Sequence, residues 1–476
     1  MNEDDYLACD AVGLAERIAR REVSAAEALE AALARMAKVN PKINAVTMDL
    51  SERARAEAAR AGDKAGPLAG VPFLLKDLGA KLEGTVTTES SRLYAETIAA
   101  NDSALSTAYR KAGLVIFGKT NTPELGLEPV TEPAMFGPTR NPWDLTRTAG
   151  GSSGGAAAAV AAGIVPAAHA SDGGGSIRIP AACCGLFGLK PSRGRVSYAP
   201  KDEGWGGFSC VHAVTRSVRD SAALLDAAST PQPGDPYWAA PPTRAFIERA
   251  ASDPAQRLRI AFTTAAFASG GAVDPEVAQA VREAAKLCQS LGHIVEEAEP
   301  PIERAALAAA GIVISASVAA DFEQLAADRG RPVGEDEVEP NTWGSYQRGL
   351  AVSGAEYIRA LRTSHALGRR VGGFFERYDI LICATLGSPP IPVGHLHEPG
   401  LSQRDYVERL FAFMPNTQAF NITGQPAASI PLATSAGGLP IGVQFVGRQG
   451  DDGLLLSLAG QLERAAPWAG RRAPIG

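Results

Sequence analysis

The chain has 476 residues, of which 45% are apolar and 21% are charged, and its net charge is -6. These values are typical of a soluble globular protein of two or three domains. The negative charge argues against a nucleic-acid partner, because such proteins present a basic face. We find neither an apolar run of membrane-spanning length nor a signal-peptide pattern, so we expect no membrane partner and a cytoplasmic location.

The cysteine and histidine residues do not form a metal-binding pattern. The six histidines include no HExxH pair. We therefore expect no metal and no cofactor. In a reducing compartment the cysteines should be free thiols, mostly buried. They are Cys9, Cys183, Cys184, Cys210, Cys288 and Cys383.

The first part of the chain predicts two amphipathic helices, a short strand and a third helix. Ser24 and Glu27 form a capping box at the start of the second helix, and Pro41 is expected to end it. The predicted elements are helix 11–22, helix 25–39, strand 44–48 and helix 52–61.

Lys76 follows a short apolar run at residues 73–75. A lysine is rarely buried without a partner, so it either reaches the surface through its long side chain or has a special function. Burial would lower its pKa toward values at which the amine accepts a proton. Asp77 should point to the opposite face, because side chains alternate along a strand.

Helices and short apolar strands alternate through the rest of the chain. This order predicts an α/β fold with helices on both faces of a sheet. The predicted elements are helix 103–112, strand 114–117, a turn at 118–124, helix 156–162, strand 164–168, helix 215–227, strands 258–262, 378–383, 428–431 and 438–446, and helix 453–465.

Two serine sites flanked by glycine dominate the sequence: GGSSGG at residues 150–155 and DGGGS at residues 172–176. Glycine allows positive φ and close approach of a substrate, and successive N–H groups can converge on an anion. The first site fits G-x-S-x-G, but that motif needs a buried strand before the serine, whereas residues 140–148 are polar and broken by proline. The apolar sequence beside both sites also argues against flexible linkers.

Together these sites, with 24 positions from Ser152 to Ser176, resemble the amidase signature family of serine hydrolases. The family's other landmarks match at residues 70–77, 118–124, 137–143 and 424–427. The resemblance implies the amidase signature fold, a mixed central β-sheet covered on both faces by helices. It also implies a single domain over residues 1–476. The most family-like parts are residues 67–228 and 420–468, and residues 230–410 are less family-like and should frame the substrate pocket.

The same resemblance implies a Ser-Ser-Lys triad. Ser176 would be the nucleophile, Ser152 the bridging serine and Lys76 the terminal base. The N–H groups of Gly173, Gly174, Gly175 and Ser176 would form the oxyanion hole. Threonine or isoleucine is more usual in the family at the position of Gly173, so we expect a looser rim there.

Four further residues near the triad are expected to support it. Ser153 either caps the helix that follows or takes part in catalysis. Asp172 and Arg178 should brace the glycine loop as an ion pair. His169 should be either a core residue with its hydrogen bonds satisfied or a residue that supports the triad.

The implied activity is hydrolysis of carboxamides through an acyl-enzyme, with esters and carbamates as further substrates. Within the family, the chain looks most similar to the 6-aminohexanoate cyclic-dimer hydrolase (nylon-oligomer) branch. The expected partner is a small, neutral amide, linear or cyclic. The sequence does not decide whether the protein is a homodimer. The pocket is expected to be apolar, lined by Phe136, Trp205, Phe208, Ile312 and Ile314.

Two other functions stay open at this point. One is the A subunit of a tRNA-dependent amidotransferase, a glutamine amidohydrolase. That subunit usually carries Met-Asp-Glu where this chain has Thr122-Pro123-Glu124. The other is a non-catalytic binding protein with the same fold, which would not need Lys76, Ser152 and Ser176 together.

Overall fold

The computed structural model describes residues 1–60, 66–201 and 203–475. The strands are β1 (Val46–Asp49), β2 (Pro72–Lys76), β3 (Val115–Thr120), β4 (Arg140–Asn141), β5 (Asp144–Thr148), β6 (Ala167–Asp172), β7 (Phe187–Lys190), β8 (Cys210–Thr215), β9 (Arg259–Phe262), β10 (Ile294–Glu297), β11 (Ile380–Ala384), β12 (Ala427–Thr434) and β13 (Pro440–Gly447).

The helices precede, connect or follow these strands along the chain. They are α1 (Glu3–Ala8), α2 (Ala11–Ala19), α3 (Ala25–Ile43), α4 (Ser51–Ala58), α5 (Ala104–Lys111), α6 (Gly154–Ala161), α7 (Arg178–Cys184), α8 (Val218–Ala228), α9 (Phe246–Ala250), α10 (Pro275–Ser290), α11 (Arg304–Arg329), α12 (Pro340–Leu350), α13 (Gly354–Arg377), α14 (Gln403–Phe413), α15 (Thr417–Thr423) and α16 (Asp452–Ala465).

One large mixed sheet forms the centre of the molecule. Its 11 strands run in the order β1-β3-β2-β6-β8-β7-β12-β13-β11-β9-β10. The β2–β3 and β9–β11 pairs are parallel, whereas β6–β8 and β12–β13 are antiparallel. Every residue of β2, β3, β8, β11 and β13 is buried, which requires that both faces of the sheet be covered. The predicted α/β class is therefore confirmed.

The predicted N-terminal helices are present but their ends differ: α2 and α4 are shorter than predicted, α3 is longer, and α1 was not predicted. The capping box of Ser24 and Glu27 is present at the start of α3. The helix does not stop before Pro41, however, but continues to Ile43. Pro41 lies in the last turn, and Asn44, in the left-handed conformation, closes the helix by donating its N–H to the Asn40 carbonyl at 2.8 Å. Residue 61, the predicted end of the next helix, lies outside the described residues.

Two strands differ from the prediction in ways that matter for the site. β3 runs on through residues 118–120, which we predicted as a turn, because the buried Lys119 amine finds partners in Val86 and Thr87. The predicted strand 164–168 is displaced to β6, because Pro166 interrupts the ladder and the strand begins only after it. β6 therefore ends at Asp172, directly before the glycine loop.

The less family-like segment 230–410 contributes β9, β10 and β11 to the same sheet. It also supplies a helical layer in which α11 packs against α12 and α13. By length and composition α11 is apolar enough to cross a membrane, although 50% of its most apolar window is buried inside the protein. A core helix can pass the same test of length and composition, so this helix alone is weak evidence for a membrane span.

Helix α6 packs unusually close to the strand edge beside the site. A Cβ on Gly155 would lie 2.4 Å from the Asn121 nitrogen and 2.6 Å from the Ala45 carbonyl oxygen. A glycine inside a helix normally weakens it, so its presence here reflects a steric limit. Gly372 on α13 is a useful contrast, because an added Cβ there meets nothing within 4 Å.

We expect Gly155→Ala to lower the free energy of unfolding by about 1–3 kcal/mol, because the methyl group overpacks the α6 contact. Gly372→Ala, the same chemical change on an exposed helix face, should raise that free energy by up to about 1 kcal/mol. Urea unfolding followed by circular dichroism measures both. Stabilisation by Gly155→Ala would contradict the close packing.

Candidate active site

Lys76 ends β2 with its side chain fully buried. Its Nζ atom lies 2.7 Å from Ser152 Oγ and 2.9 Å from Ser171 Oγ. Burial lowers the pKa of the amine to about 7, although the charges of Asp172 and Glu89 act in the opposite direction. A lysine in these surroundings is present as the neutral amine to a substantial extent near neutral pH.

Strand β6 supplies two neighbours of Lys76, of which sequence reasoning missed Ser171. β2 and β6 are parallel neighbours, and His169 and Ser171, two positions apart on β6, both contact Lys76. His169 Nδ1 accepts the Lys76 backbone N–H at 3.1 Å. No sequence signal links Ser171 to Lys76, because the contact depends on the pairing of two strands that are distant in sequence.

The hydrogen bonds of His169 are not all satisfied, contrary to the first of the two alternatives. Among the described residues, none forms a hydrogen bond with its buried Nε2 atom. Burial lowers the pKa of its imidazole to about 3, and the nearby Lys76 charge acts in the same direction. The ring is therefore neutral at physiological pH and brings no positive charge to the site.

Asp77 does not neutralise Lys76. Its carboxylate accepts hydrogen bonds from Thr88 and lies 3.8 Å from the Lys119 amine. Burial lowers the pKa of Lys119 to about 8, with Asp77 partly opposing that shift. The two lysines of β2 and β3 thus lie in different surroundings, and only Lys76 is beside the serine sites.

Ser152 lies under the turn that follows β3. The Gly151-Ser152 peptide bond is cis. A methyl group on Gly126 would lie 3.1 Å from Ser152 Oγ, so this turn packs directly over the hydroxyl. Glu124 fixes the turn, because its carboxylate accepts from the Ser91 hydroxyl and from the Glu339 N–H, both at 2.7 Å.

Ser153 does not cap α6, so that interpretation was wrong. It occupies the cap position, but its side chain makes no capping hydrogen bond. Instead its hydroxyl donates to the Ser171 carbonyl at 3.2 Å and accepts the Ser171 N–H at 3.3 Å. Ser153 therefore fixes the strand residue whose own hydroxyl contacts Lys76.

Ser176 lies in the glycine loop between β6 and α7 and is 9% exposed. Within the described ranges, no residue forms a hydrogen bond with its hydroxyl, Ser152 included. The N–H groups of Gly174, Gly175 and Ser176 likewise donate to no described acceptor. The loop thus presents an unengaged hydroxyl together with unengaged N–H donors.

Asp172 and Arg178 form the expected ion pair, with Arg178 Nη2 and Asp172 Oδ1 2.8 Å apart and both side chains fully buried. Burial alone would raise the pKa of Asp172, but the charge and hydrogen bonds of Arg178 dominate and lower it to about 2. The carboxylate also accepts the Ile177 N–H at 3.2 Å. The pair therefore closes the loop that carries Ser176.

Arg178 also links this loop to the C-terminal part of the chain. Its guanidinium donates to the Thr417 carbonyl at 2.8 Å, to Gln444 Oε1 at 2.6 Å and to Asn421 Oδ1 at 2.6 Å. The Thr417 hydroxyl in turn donates to the Gly174 carbonyl at 2.6 Å. Sequence reasoning missed these residues, because no local pattern connects them with the loop.

The expected looser rim at Gly173 is not present. A Cβ added to Gly173 would lie 2.5 Å from Cζ3 of Trp205, so the indole ring fills the space beside the glycine. Of the other predicted pocket residues, Phe208 is buried, whereas Ile312 is 36% exposed, and its place in the pocket stays a prediction. Phe136 and Ile314 are half-buried.

No group of three or more His, Cys, Asp or Glu side chains is arranged to hold a metal ion in the part of the chain that the structure describes. The six cysteines are free thiols, as predicted, and only Cys9 is not fully buried. The site is therefore composed of hydroxyls, backbone N–H groups and one buried amine. Such a set suits acyl transfer, which needs a nucleophile, a base and oxyanion donors.

Comparisons with known proteins agree on one family. The Amidase family model matches residues 27–456. The 6-aminohexanoate-cyclic-dimer hydrolase of Paenarthrobacter ureafaciens is 39% identical, over 97% of this chain and 96% of that protein. A solved structure of 6-aminohexanoate cyclic dimer hydrolase complexed with substrate gives a TM-score of 0.94 at 38% identity, covering 98% of this chain and 99% of the other. The structure of a bacterial aryl acylamidase gives a TM-score of 0.87 at 28% identity, covering 97% of this chain and 99% of the other.

Proposed function

The chain belongs to the amidase signature family of enzymes, which hydrolyse amide bonds, and from this premise we propose that it cleaves small, largely neutral carboxamides through an acyl-enzyme. Esters and carbamates are further substrates of the proposed site. The observation that carries the proposal is the distance of 2.7 Å between the buried Lys76 amine and Ser152 Oγ. A neutral amine in contact with a serine hydroxyl is suited to accept its proton.

The proposed relay has three members. The Ser176 oxygen attacks the scissile carbonyl carbon while its proton passes to Ser152, whose own proton passes to Lys76. The relay then returns a proton to the leaving nitrogen, the C–N bond breaks and an ester to Ser176 remains. Water attacks this ester by the same route and regenerates Ser176. The step from Ser176 to Ser152 requires contact once substrate is bound, because catalytic hydrogen bonds are often unmade in the free enzyme.

The oxyanion that forms in this reaction needs preorganised donors. The N–H groups of Gly174, Gly175 and Ser176 are available for this, and Gly173 precedes them directly after the end of β6. Thr417 and the Asp172–Arg178 pair hold the loop from two sides, so its donors need little reorganisation. Removing one such donor typically lowers turnover by about 10²–10³-fold.

The proposed preference for neutral substrates follows from the groups around the loop. Trp205 packs against an apolar cluster that contains Phe208 and Val313. Arg178 is the cation nearest the loop in sequence, and its N–H groups are already bonded to protein acceptors. Arg178 therefore has no free N–H group for a substrate carboxylate, and we expect such a substrate to be bound weakly.

Labelling with phenylmethylsulfonyl fluoride tests the nucleophile. Intact-mass analysis should show one adduct per chain, absent in Ser176→Ala because fluoride is displaced by the Ser176 oxygen. Ser152→Ala should retain the fold but lose roughly 10²–10⁴-fold in amide turnover, because the proton relay is interrupted. Ser290→Ala, an exposed serine on α10, is the matched control and should leave labelling and turnover unchanged.

An adduct that persists in Ser176→Ala would overturn the assignment of the nucleophile. Turnover is measured on 6-aminohexanoate cyclic dimer, anilides, carbamates, amino-acid amides and glutamine. Activity confined to glutamine would favour the amidotransferase subunit, and activity confined to substrates with a free carboxylate would contradict the preference for neutral amides.

The rate should also depend on pH through Lys76. The amine must be neutral to accept a proton, so kcat/KM should fall as the pH drops through about 7 and level off above it. Lys76→Ala should reduce turnover of an amide more than of a matched ester, because an alkoxide leaves with less help from a proton than an amine needs. Equal losses on the two substrates would show that Lys76 is not the base.

A further inference from the structure

The contact between Gly173 and Trp205 defines one wall of the site. A side chain at position 173 would have its Cβ 2.5 Å from Trp205 Cζ3 and 2.7 Å from Trp205 Cε3. Real Cβ contacts are never that short, so the indole and a side chain at 173 exclude one another. The backbone of Gly173 does not have a positive φ, unlike that of Gly175 at 140°. Glycine is therefore required at 173 by the indole and not by the backbone conformation.

A tight backbone turn carries the indole. Trp205 itself has a φ of 54°, and Gly206 and Gly207 follow with 65° and 78°. Three successive left-handed residues form a tight turn that a longer side chain would strain, and only glycine adopts it freely. The ring is the one bulky group that this turn projects.

The turn also packs against the helical layer behind it. A methyl group on Gly206 would lie 2.9 Å from Val313 of α11 and 3.3 Å from Leu361 of α13. A methyl group on Gly207 would lie 2.6 Å from the ring of Tyr237. Because both glycines are closely packed, the backbone that carries the indole has little room to move.

We propose that Trp205 is a specificity-determining residue for this amidase, whose ring limits the width of the site beside the oxyanion donors. The inference rests on the proposed function and adds the substrate class to it. A substrate carbonyl bound by the N–H groups that follow Gly173 places its acyl substituent against the indole. The flat apolar ring accommodates an unbranched methylene chain or an aryl group and excludes acyl groups branched at the carbon next to the carbonyl.

The remaining neighbour of position 173 does not impose the same limit. Ser209 Oγ would lie 2.7 Å from the added Cβ, but a serine hydroxyl can rotate away. The larger indole has less freedom, because the two glycines that follow it in the turn are closely packed. A small side chain at 173 should therefore be tolerated once the ring is removed, and this reciprocity provides the test.

The experiment compares wild type, Trp205→Ala, Gly173→Ala and the double variant on two anilides, one with an unbranched and one with an α,α-dimethyl acyl group. Trp205→Ala should shift the ratio of the two kcat/KM values at least 10-fold toward the branched substrate. Gly173→Ala should lower kcat/KM at least 100-fold in wild type but less than 10-fold in Trp205→Ala. Trp238→Ala, which removes an indole that is 65% exposed, is the matched control. It should change neither kcat/KM nor the ratio of the two kcat/KM values.

Thermal unfolding midpoints show whether each variant is still folded. A purely structural role of Trp205 would lower the rates on both anilides together and leave their ratio unchanged. Unchanged selectivity in Trp205→Ala, or losses that simply multiply in the double variant, would overturn the inference while leaving the amidase activity intact. A wild-type protein that hydrolyses no amide would instead overturn the proposed function, and the inference with it.

Discussion

Burial of the Lys76 amine among hydroxyl groups is the constraint on which the rest of the site depends. An amine so placed loses its hydration and keeps a low pKa only if no free carboxylate stabilises its charge. Asp77 is engaged by Thr88 and Lys119, and Asp172 is neutralised by Arg178. Asp77 and Asp172 are thus held by other cations and burial raises the pKa of Glu89, so these carboxylates oppose the effect of burial on Lys76 only in part, and its amine contacts serine hydroxyls.

The Asp172–Arg178 pair joins this constraint to the nucleophile. β6 carries Ser171 against Lys76 and ends at Asp172, so the same strand sets the base and begins the glycine loop. Arg178 then holds that loop to residues of α15 and β13 more than 200 positions away in sequence. Removing a partner from such a buried pair typically costs about 3–5 kcal/mol, so these contacts matter for stability as well as for catalysis.

Local sequence was sufficient for the features that depend on local physics. The apolar runs predicted the sheet, and the two glycine-flanked serines with Lys76 predicted which residues to place in one site. It was insufficient where tertiary contacts decide. The Asn44 that closes α3 after Pro41 is held by the distant Phe136 carbonyl, and Lys119 inside β3 has its partners in another segment. The contact of Trp205 with Gly173 is of the same kind, since nothing in either local pattern indicates the other.

The most direct test of the account is the ionisation of Lys76 itself. Lysine labelled with ¹³C at Cε and ¹⁵N at Nζ can be titrated by NMR, with the Lys76 signal assigned by its loss in Lys76→Met and that of Lys119 by its loss in Lys119→Met. The account predicts that Lys76 titrates near pH 7, well below the value of about 10.4 for an exposed lysine. A Lys76 that remains charged up to pH 10 would contradict it.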